Sequence, residues 1–339
     1  SELIKKAILD DDPRQLYLQA WGGPNTIAMA LKSIEDDYRA ANHSEYSDAQ
    51  WDAAKATDSD WIAYRDGLSE KITMFLILEQ DTTYKEYIAP TWPNIEMIID
   101  GGNFWRFAYQ WKANTAEDSV KLGADWLAEN IKFGHGPLMD EYFLMGDGTY
   151  LDDYPDIYQR GLEQYLIDNP QFAKYDFVSE GDSPAFFYLL DRGLRSLENP
   201  AYGGWGGRFG LSSRADDANR SVYRNNVTDY NPNRNSNTGE KQYTLTRWID
   251  NIQSDFAARA DWCITPNFED VNHMPNMTIK EGLDITAKPG EVVMLRADAT
   301  DPDGDRVDVQ WWNYCEAGTY AFKKQTVDGI TTPVPVNMI

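Results

Sequence analysis

The chain has 339 residues, with 31 Lys and Arg against 55 Asp and Glu, a formal net charge of −24, and 42% hydrophobic residues. This charge argues against nucleic acid and anionic membranes as partners, because their phosphates would be repelled. The hydrophobic fraction is sufficient for one large domain or two domains. Two cysteines without a CxxC or Cys/His cluster argue against a zinc site, and the sequence has no 18-residue apolar run that would indicate a transmembrane helix.

The first part of the chain alternates apolar, β-type segments with helical patterns. Three segments are predicted to be strands: Leu16–Ala20, Ile72–Leu78 and Ile95–Ile99. Six segments have helical spacing: Thr26–Tyr38, Asp48–Ser69, Thr83–Ile88, Ala116–Ile131, Pro184–Leu194 and Thr244–Cys263. Continuous apolar runs are typical of strands buried on both faces of a parallel sheet. The alternation therefore predicts an α/β fold with an open, mainly parallel sheet.

A glycine turn joins the first predicted strand to the first predicted helix. Gly22 and Gly23 end the apolar run, and Asn25 and Thr26 open the helix. Open α/β sheets place ligand sites at such strand–turn–helix junctions, where glycine lets the backbone approach a ligand. The alternative is an ordinary turn with Asn25 or Thr26 as helix cap, and on this motif alone that alternative is favoured.

Three later junctions also place glycine and polar residues after an apolar element: IIDGGNFW (98–105), ENIKFGHGP (129–137) and EGDSPAF (180–186). Carboxyl ends of parallel strands meet at one edge of a sheet. We therefore expect Asn25, Gly102, Asn130, His135 and Asp182 to line one cleft.

Each of these residues has a structural alternative. Asp182 or Ser183 is equally well explained as the cap of the helix that begins at Pro184. Asn130 is alternatively a helix C-cap. His135 lies in a glycine loop, where a site histidine is favoured over a buried structural one.

The segment 199–242 is rich in Gly, Asn and Ser and is predicted to be a long loop, either a lid over a site or an exposed insertion. Two of its side chains are candidates for ligand contacts. Trp205 either stacks on a sugar or packs in the core, and Arg208 binds either an anion or a surface carboxylate.

From residue 273 onward the helical patterns end. Three segments are β-rich, Leu283–Ile285, Glu291–Ala297 and Arg306–Asn313, and DPDGD (301–305) is a turn rather than a calcium loop. The pattern predicts an immunoglobulin-like β-sandwich at 273–339, after an α/β domain at 1–272. The segment is short for such a sandwich, so we expect it to be incomplete.

Six segments, in this order, resemble bacterial secreted proteins that have a nucleoside hydrolase-like domain, many of them labelled cellulose-binding: WGGPNTIAMALKSIE, IIDGGNFW, NIKFGHGPL, EGDSPAFFYLL, NPAYGGWGGRF and DPDGDRVDVQWWNYCEAGTY. The resemblance covers nearly the whole chain. It implies the nucleoside hydrolase-like open, mainly parallel α/β sheet with helices, followed by a partial immunoglobulin-like β-sandwich. It also implies a secreted or periplasmic location.

The resemblance assigns roles to particular residues. Asp182 matches a calcium ligand, the region of Asn25 matches a loop that gives calcium a backbone carbonyl, and Asn130 resembles an asparagine that binds ribose hydroxyls. Gly181 stands where a histidine assists the leaving base, which puts nucleosides in doubt as substrates. The candidate substrate-binding residues are Asn25, Asn103, Asn130, His135, Trp205 and Arg208.

The leading hypothesis is a secreted, calcium-dependent glycoside or N-glycoside hydrolase acting on a furanose-like sugar, with Glu180 as a candidate catalytic residue. Calcium would hold a sugar diol and a water together. The family's general base is expected upstream of Ser1, so this chain alone is expected to be inactive. The alternative is a non-catalytic carbohydrate-binding, cellulose-binding protein, and a third hypothesis is a structural adhesion module.

The expected ligand is a carbohydrate or a nucleoside-like small molecule. We also expect a missing N-terminal segment or a neighbouring chain to cover the sheet edges. Without that cover, four apolar side chains would face water: Leu16, Leu18, Ile77 and Ile98.

Overall fold

The structure, a computed structural model, describes residues 1–151, 159–234 and 238–319, and the backbone of Phe322–Val327 and Ile330–Pro335. The α-helices of these residues are α1 (Glu2–Leu9), α2 (Asn25–Asn42), α3 (Asp48–Ala54), α4 (Ser59–Ser69), α5 (Ala89–Thr91), α6 (Ala124–Leu127), α7 (Pro137–Asp140), α8 (Glu163–Asp168), α9 (Ser183–Phe187), α10 (Tyr243–Thr246) and α11 (Ile249–Trp262). The strands are β1 (Leu16–Ala20), β2 (Ile72–Ile77), β3 (Glu96–Asp100), β4 (Gly210–Leu211), β5 (Val222–Arg224), β6 (Asn276–Ile279), β7 (Ala297–Thr300), β8 (Phe322–Val327) and β9 (Ile330–Pro335). Among these helices, none is both long and apolar enough to cross a membrane.

The main sheet has five strands in the order β1-β2-β3-β5-β4. Strands β1, β2, β3 and β5 are parallel, and β4 pairs antiparallel with β5 at the edge. The register places Leu18 opposite Met74, and Met74 opposite Met97. The predicted mainly parallel α/β sheet is confirmed, with all three predicted strands within one residue of their observed bounds.

The predicted helices differ from the observed ones mainly where a new N-cap or a change of helix type interrupts the α-helix. The prediction for Asp48–Ser69 is divided in two, because Asp58 accepts a hydrogen bond from the backbone N–H of Trp61 (2.8 Å) and so begins a new helix. The segment predicted at Ala116–Ile131 contains a 3₁₀ turn, α6 and a π-helical turn, Ala128–Lys132.

Apolar side chains cover both faces of the sheet. Alternate residues along each strand point to opposite faces. One face packs Leu18, Met74 and Met97 against α2, and the other packs Phe75, Ile77 and Ile98 against the segment after α9 and against Phe209. This corrects the expectation of water-exposed strands. Three of the four named side chains are buried, Leu18, Ile77 and Ile98, and Leu16 is partly buried.

After residue 273 the described chain forms two small antiparallel pairs, β6 with β7 and β8 with β9. The three segments predicted as strands there do not form them, apart from Ala297, which begins β7. Alternating apolar residues require a facing layer to form a sandwich, and many of these side chains are exposed, including Val292 and Leu295. The immunoglobulin-like sandwich is therefore not seen in the part of the chain that the structure describes.

The segment before β8 packs on the α/β domain through a buried charge network. Asp229 accepts hydrogen bonds from Arg208, Arg247 and Tyr314. The Arg247 guanidinium also lies 4.5 Å from the centre of the Tyr314 ring and 5.2 Å from that of Trp312. Cation–π contacts of this kind add to the ion pairs and hold the segment against the domain.

Candidate functional site

A cleft of about 800 Å³ lies at the carboxyl edge of β1, β2 and β3. Trp21 follows β1, Gln80 follows β2 and Trp105 follows β3, and all three line the cleft. Gln80 Nε2 donates to the carbonyl oxygens of Trp21 (2.7 Å) and Ile77 (2.8 Å), which fixes the turn after β1 to the turn after β2. Crevices outside the carboxyl ends of parallel strands are the usual ligand sites of open α/β sheets.

The glycine turn after β1 is required by close packing. A Cβ added at Gly23 would lie 1.9 Å from Asp81 Oδ2. Asp81 is itself held in place, since its Oδ1 accepts from the backbone N–H of Thr83 at 2.9 Å. Asn25 is the first residue of α2, is exposed and does not line the cleft; it contacts its neighbour Thr26 instead.

Aromatic side chains form one wall of the cleft. Trp21 is 47% exposed and Tyr109 is 50% exposed, although both are large rings that globular proteins usually bury more fully. The Trp105 ring lies 5.6 Å from that of Tyr109 and 4.7 Å from that of Phe104. These rings give the cleft a broad apolar surface in contact with water.

Carboxyl groups lie on the loop that leads into α9. Glu180 accepts hydrogen bonds from Tyr142 Oη on one oxygen and from Ser183 Oγ on the other (2.9 Å). Burial raises the pKa of Glu180 above its usual range, against the lowering effect of these two donors. Burial together with the Glu180 charge also raises the pKa of Tyr142, so its hydroxyl stays protonated and donates.

Asp182 lines the same cleft, and burial raises the pKa of its carboxyl. It stands at the N-cap position of α9, yet its side chain makes no capping hydrogen bond. The alternative that Asp182 serves as a helix cap is therefore not what the structure shows. Its carboxylate is available to a ligand in the cleft.

Beneath this edge, the end of β3 is held by a buried carboxyl. Asp100 Oδ1 accepts from the backbone N–H groups of Gly102 (2.9 Å) and Asn103 (2.8 Å). Burial raises the pKa of Asp100 to about 6, although these N–H groups favour the charged form. Asn103 is also buried and donates from Nδ2 to Thr244 Oγ1 (3.0 Å), so it fixes the strand end to α10 and does not line the cleft.

The expectation of a single cleft holding Asn25, Gly102, Asn130, His135 and Asp182 needs correction, since only Asp182 lines it. Asn130 Nδ2 donates to the carbonyl of Trp126, one turn back in its own helical segment (2.8 Å). His135 lies between the carbonyl of Glu129 (3.1 Å) and the carboxylate of Asp261 on α11 (2.9 Å). Asn130 therefore contacts its own helical segment, His135 lies between that segment and α11, and neither residue lines the cleft.

Trp205 and Arg208 are also placed in the interior rather than in the cleft. Trp205 is buried in an apolar cluster, with the Arg192 guanidinium 5.5 Å from its ring centre. Arg208 is buried and pairs with Asp229 at 2.6 Å. For Trp205 the structure shows the packing alternative. The carboxylate that pairs with Arg208 is buried, so the expectation of a surface carboxylate needs correction.

Sequence reasoning missed several residues that line the cleft. Trp21 could have been predicted as a lining residue, because it directly follows β1 at the carboxyl end of the strand. Trp105 ends the IIDGGNFW segment and was detectable in the same way. Tyr109 and Arg160 could not be predicted in this way, because neither directly follows a predicted strand or helix.

The described residues do not by themselves fit a calcium site. Calcium takes about 6–8 oxygen ligands, and the described part of the chain contains no group of three or more His, Cys, Asp or Glu side chains that could hold a metal. Of the two carboxylates that line the cleft, Glu180 already accepts hydrogen bonds on both oxygens, from Tyr142 and from Ser183.

Comparison with known proteins gives one family and one similar solved structure. The family described as "Cellulose-binding Sde182, nucleoside hydrolase-like domain" matches residues 1–209. The structure is of a nucleoside hydrolase-related hypothetical protein from Saccharophagus degradans that is associated with carbohydrate metabolism; the TM-score is 0.57 at 24% identity, over 99% of this chain and 67% of that one. At this identity the likeness shows the fold alone. No curated protein matches the chain in sequence.

Proposed function

The chain belongs to the family of the cellulose-binding Sde182 nucleoside hydrolase-like domain, and from this membership we propose that its cleft binds a carbohydrate. The observation behind the proposal is that Trp21, Trp105 and Tyr109 share one cleft with Glu180 and Asp182. The C–H faces of sugar rings pack on aromatic surfaces, and sugar hydroxyls donate to carboxylates. The family's description and the neighbour's association with carbohydrate metabolism support this ligand class.

Replacing Trp21 with alanine is expected to weaken binding of a soluble cello-oligosaccharide about tenfold, or about 1.4 kcal/mol. The substitution removes a half-exposed ring from the cleft wall, so it leaves the core intact. Isothermal titration calorimetry with cellotetraose measures the affinity. The matched control is Trp262→Ala, which removes a similarly exposed ring from α11, outside the cleft. Equal affinities for the Trp21→Ala variant and the unchanged protein would contradict the proposal.

A second candidate function is the hydrolysis of a glycosidic bond in the same cleft. It is favoured by Glu180, because burial raises the pKa of this carboxyl, which is the direction that suits a general acid at a leaving oxygen. The family resemblance implies that such hydrolysis would depend on calcium, so calcium dependence is part of this second candidate function. The described residues do not by themselves provide a set of calcium ligands.

We expect the chain to bind carbohydrate without turning it over, with or without added calcium chloride. The readout is release of reducing sugar or free base over a panel of oligosaccharides and nucleosides. Turnover by the unchanged chain that is abolished in Glu180→Gln would replace the binding function with the hydrolytic one. The isosteric amide keeps an acceptor for Tyr142, so loss of turnover would not reflect a loss of packing.

Three further expectations from the resemblance form part of this proposal. They are a secreted or periplasmic location, an immunoglobulin-like C-terminal domain, and a furanose-like or nucleoside-like ligand in the cleft. The negative charge of the chain supports an uncharged or weakly charged partner rather than a nucleic acid or a membrane surface.

A further inference from the structure

We propose that the cleft takes a carbohydrate that bears a carboxylate, such as a uronic acid residue, and that Arg160 binds this carboxylate. The inference rests on the carbohydrate binding proposed above and names the chemical class of the ligand.

Arg160 is the basic side chain that concerns this inference, and it lines the cleft. It forms no ion pair with any carboxylate among the described residues, and its Nε is buried with no hydrogen-bond partner there. Other partly buried arginines of the described chain are paired, Arg208 with Asp229 and Arg224 with Asp217. A guanidinium with no counterion among the described residues is unusual in a chain with 55 acidic and 31 basic side chains. A buried donor without an acceptor is costly unless a ligand or water supplies one.

The aromatic wall holds the Arg160 side chain in place. Its guanidinium carbon lies 4.7 Å from the centre of the Tyr109 ring, a cation–π contact. The guanidinium is planar and presents donors in a fixed fork that matches the two oxygens of a carboxylate. A sugar ring stacked on Trp105, whose ring lies 5.6 Å from that of Tyr109, would present a ring carboxylate towards Arg160.

The charges around the cleft favour a carboxylate over a phosphate. Glu180 and Asp182 line the same cleft, so it contains acidic groups as well as one guanidinium. Arg160 can balance one negative charge. A dianionic phosphate would leave a second charge facing these acidic side chains, and like charges in a partly dry cleft repel one another.

The test compares two soluble ligands of equal length, cellotetraose and its counterpart ending in glucuronic acid. The acidic ligand is expected to bind the unchanged protein about tenfold more tightly at low salt. Arg160→Gln is expected to remove this preference and to change the affinity for cellotetraose by less than about twofold. Arg160→Lys keeps the charge but not the fork, so it should retain part of the preference.

Arg14→Gln is the matched control, because it removes the same charge from an exposed residue that pairs with Asp12 outside the cleft. Equal affinity for the two oligosaccharides, or a preference that survives in Arg160→Gln, overturns this inference and leaves carbohydrate binding standing. Tighter binding of a glucose phosphate than of the uronic acid also overturns it. Binding of neither oligosaccharide overturns both the inference and the proposed function. If Arg160→Gln does not fold, the Arg160→Lys variant provides the test. An undiminished preference of Arg160→Lys for the acidic oligosaccharide over cellotetraose would contradict the bidentate contact.

Discussion

Asp229→Ala is expected to lower the free energy of unfolding by about 3–5 kcal/mol, the usual cost of leaving a buried charge without its partner. Asp229 is fully buried. Its Oδ1 accepts from Arg208 Nε (2.9 Å) and Nη2 (2.6 Å), and its Oδ2 accepts from Arg247 Nη1 (2.8 Å) and from Tyr314 Oη. The alanine variant would leave two guanidinium groups, both largely buried, without a counterion.

Urea unfolding of the whole chain measures this effect. Asp216→Ala is the control, because Asp216 pairs with Arg214 at 2.8 Å on the surface, where an ion pair contributes about 0–1 kcal/mol. A loss below about 1 kcal/mol in Asp229→Ala would contradict the network described here. It would also reopen the interpretation of Arg208 as a residue that binds an anionic ligand.

Asp100 is expected to make the protein less stable as the pH rises from about 4 to about 6. Burial raises its pKa from 3.8 to about 6 in the folded state. Between these two values the folded state binds more protons than the unfolded state, so the free energy of unfolding falls with rising pH. The shift corresponds to a loss of about 3 kcal/mol, complete above pH 6.

Asp100→Asn should remove this dependence, because the amide oxygen still accepts from Gly102 and Asn103 but the group carries no charge. Relative to the unchanged protein, the free energy of unfolding of the variant is expected to increase by up to about 3 kcal/mol between pH 4 and pH 7. Urea unfolding at both pH values gives the difference. Asp298→Asn, at an exposed side chain of β7, is the control and should show no such gain. A constant difference between Asp100→Asn and the unchanged protein across this pH range would refute the prediction.

The central strands of the sheet were predictable because they are continuous apolar runs. A strand that is buried on both faces of a parallel sheet needs apolar residues at consecutive positions, and β2 and β3 have such runs. The strands β4 and β5 were not predicted, since they have two and three residues and lie within a loop rich in Gly and Asn. The pairing of β5 with β3, and of β4 with β5, comes from contacts between distant segments that no local pattern reports.

The sequence was sufficient to predict that the candidate site lies at the carboxyl edge of the sheet and that Asp182 lines it. Other side chains depend on partners that are distant in sequence. His135 lies 2.9 Å from the carboxylate of Asp261, and Arg208 pairs with the buried Asp229, and neither side chain lines the cleft. Tyr109 and Arg160 reach the cleft only through the folded arrangement of the loops.

Hydrogen–deuterium exchange with and without cellotetraose tests most directly whether the cleft at the carboxyl edge of the sheet binds carbohydrate. Protection on ligand addition is expected in peptides covering 21–26, 101–109 and 179–183, because these segments surround the cleft or support its walls. Peptides around Trp262 on α11, outside the cleft, should exchange at an unchanged rate. Protection confined to α11 or to the residues after 273, with none in the three cleft segments, would show that the cleft is not where carbohydrate binds.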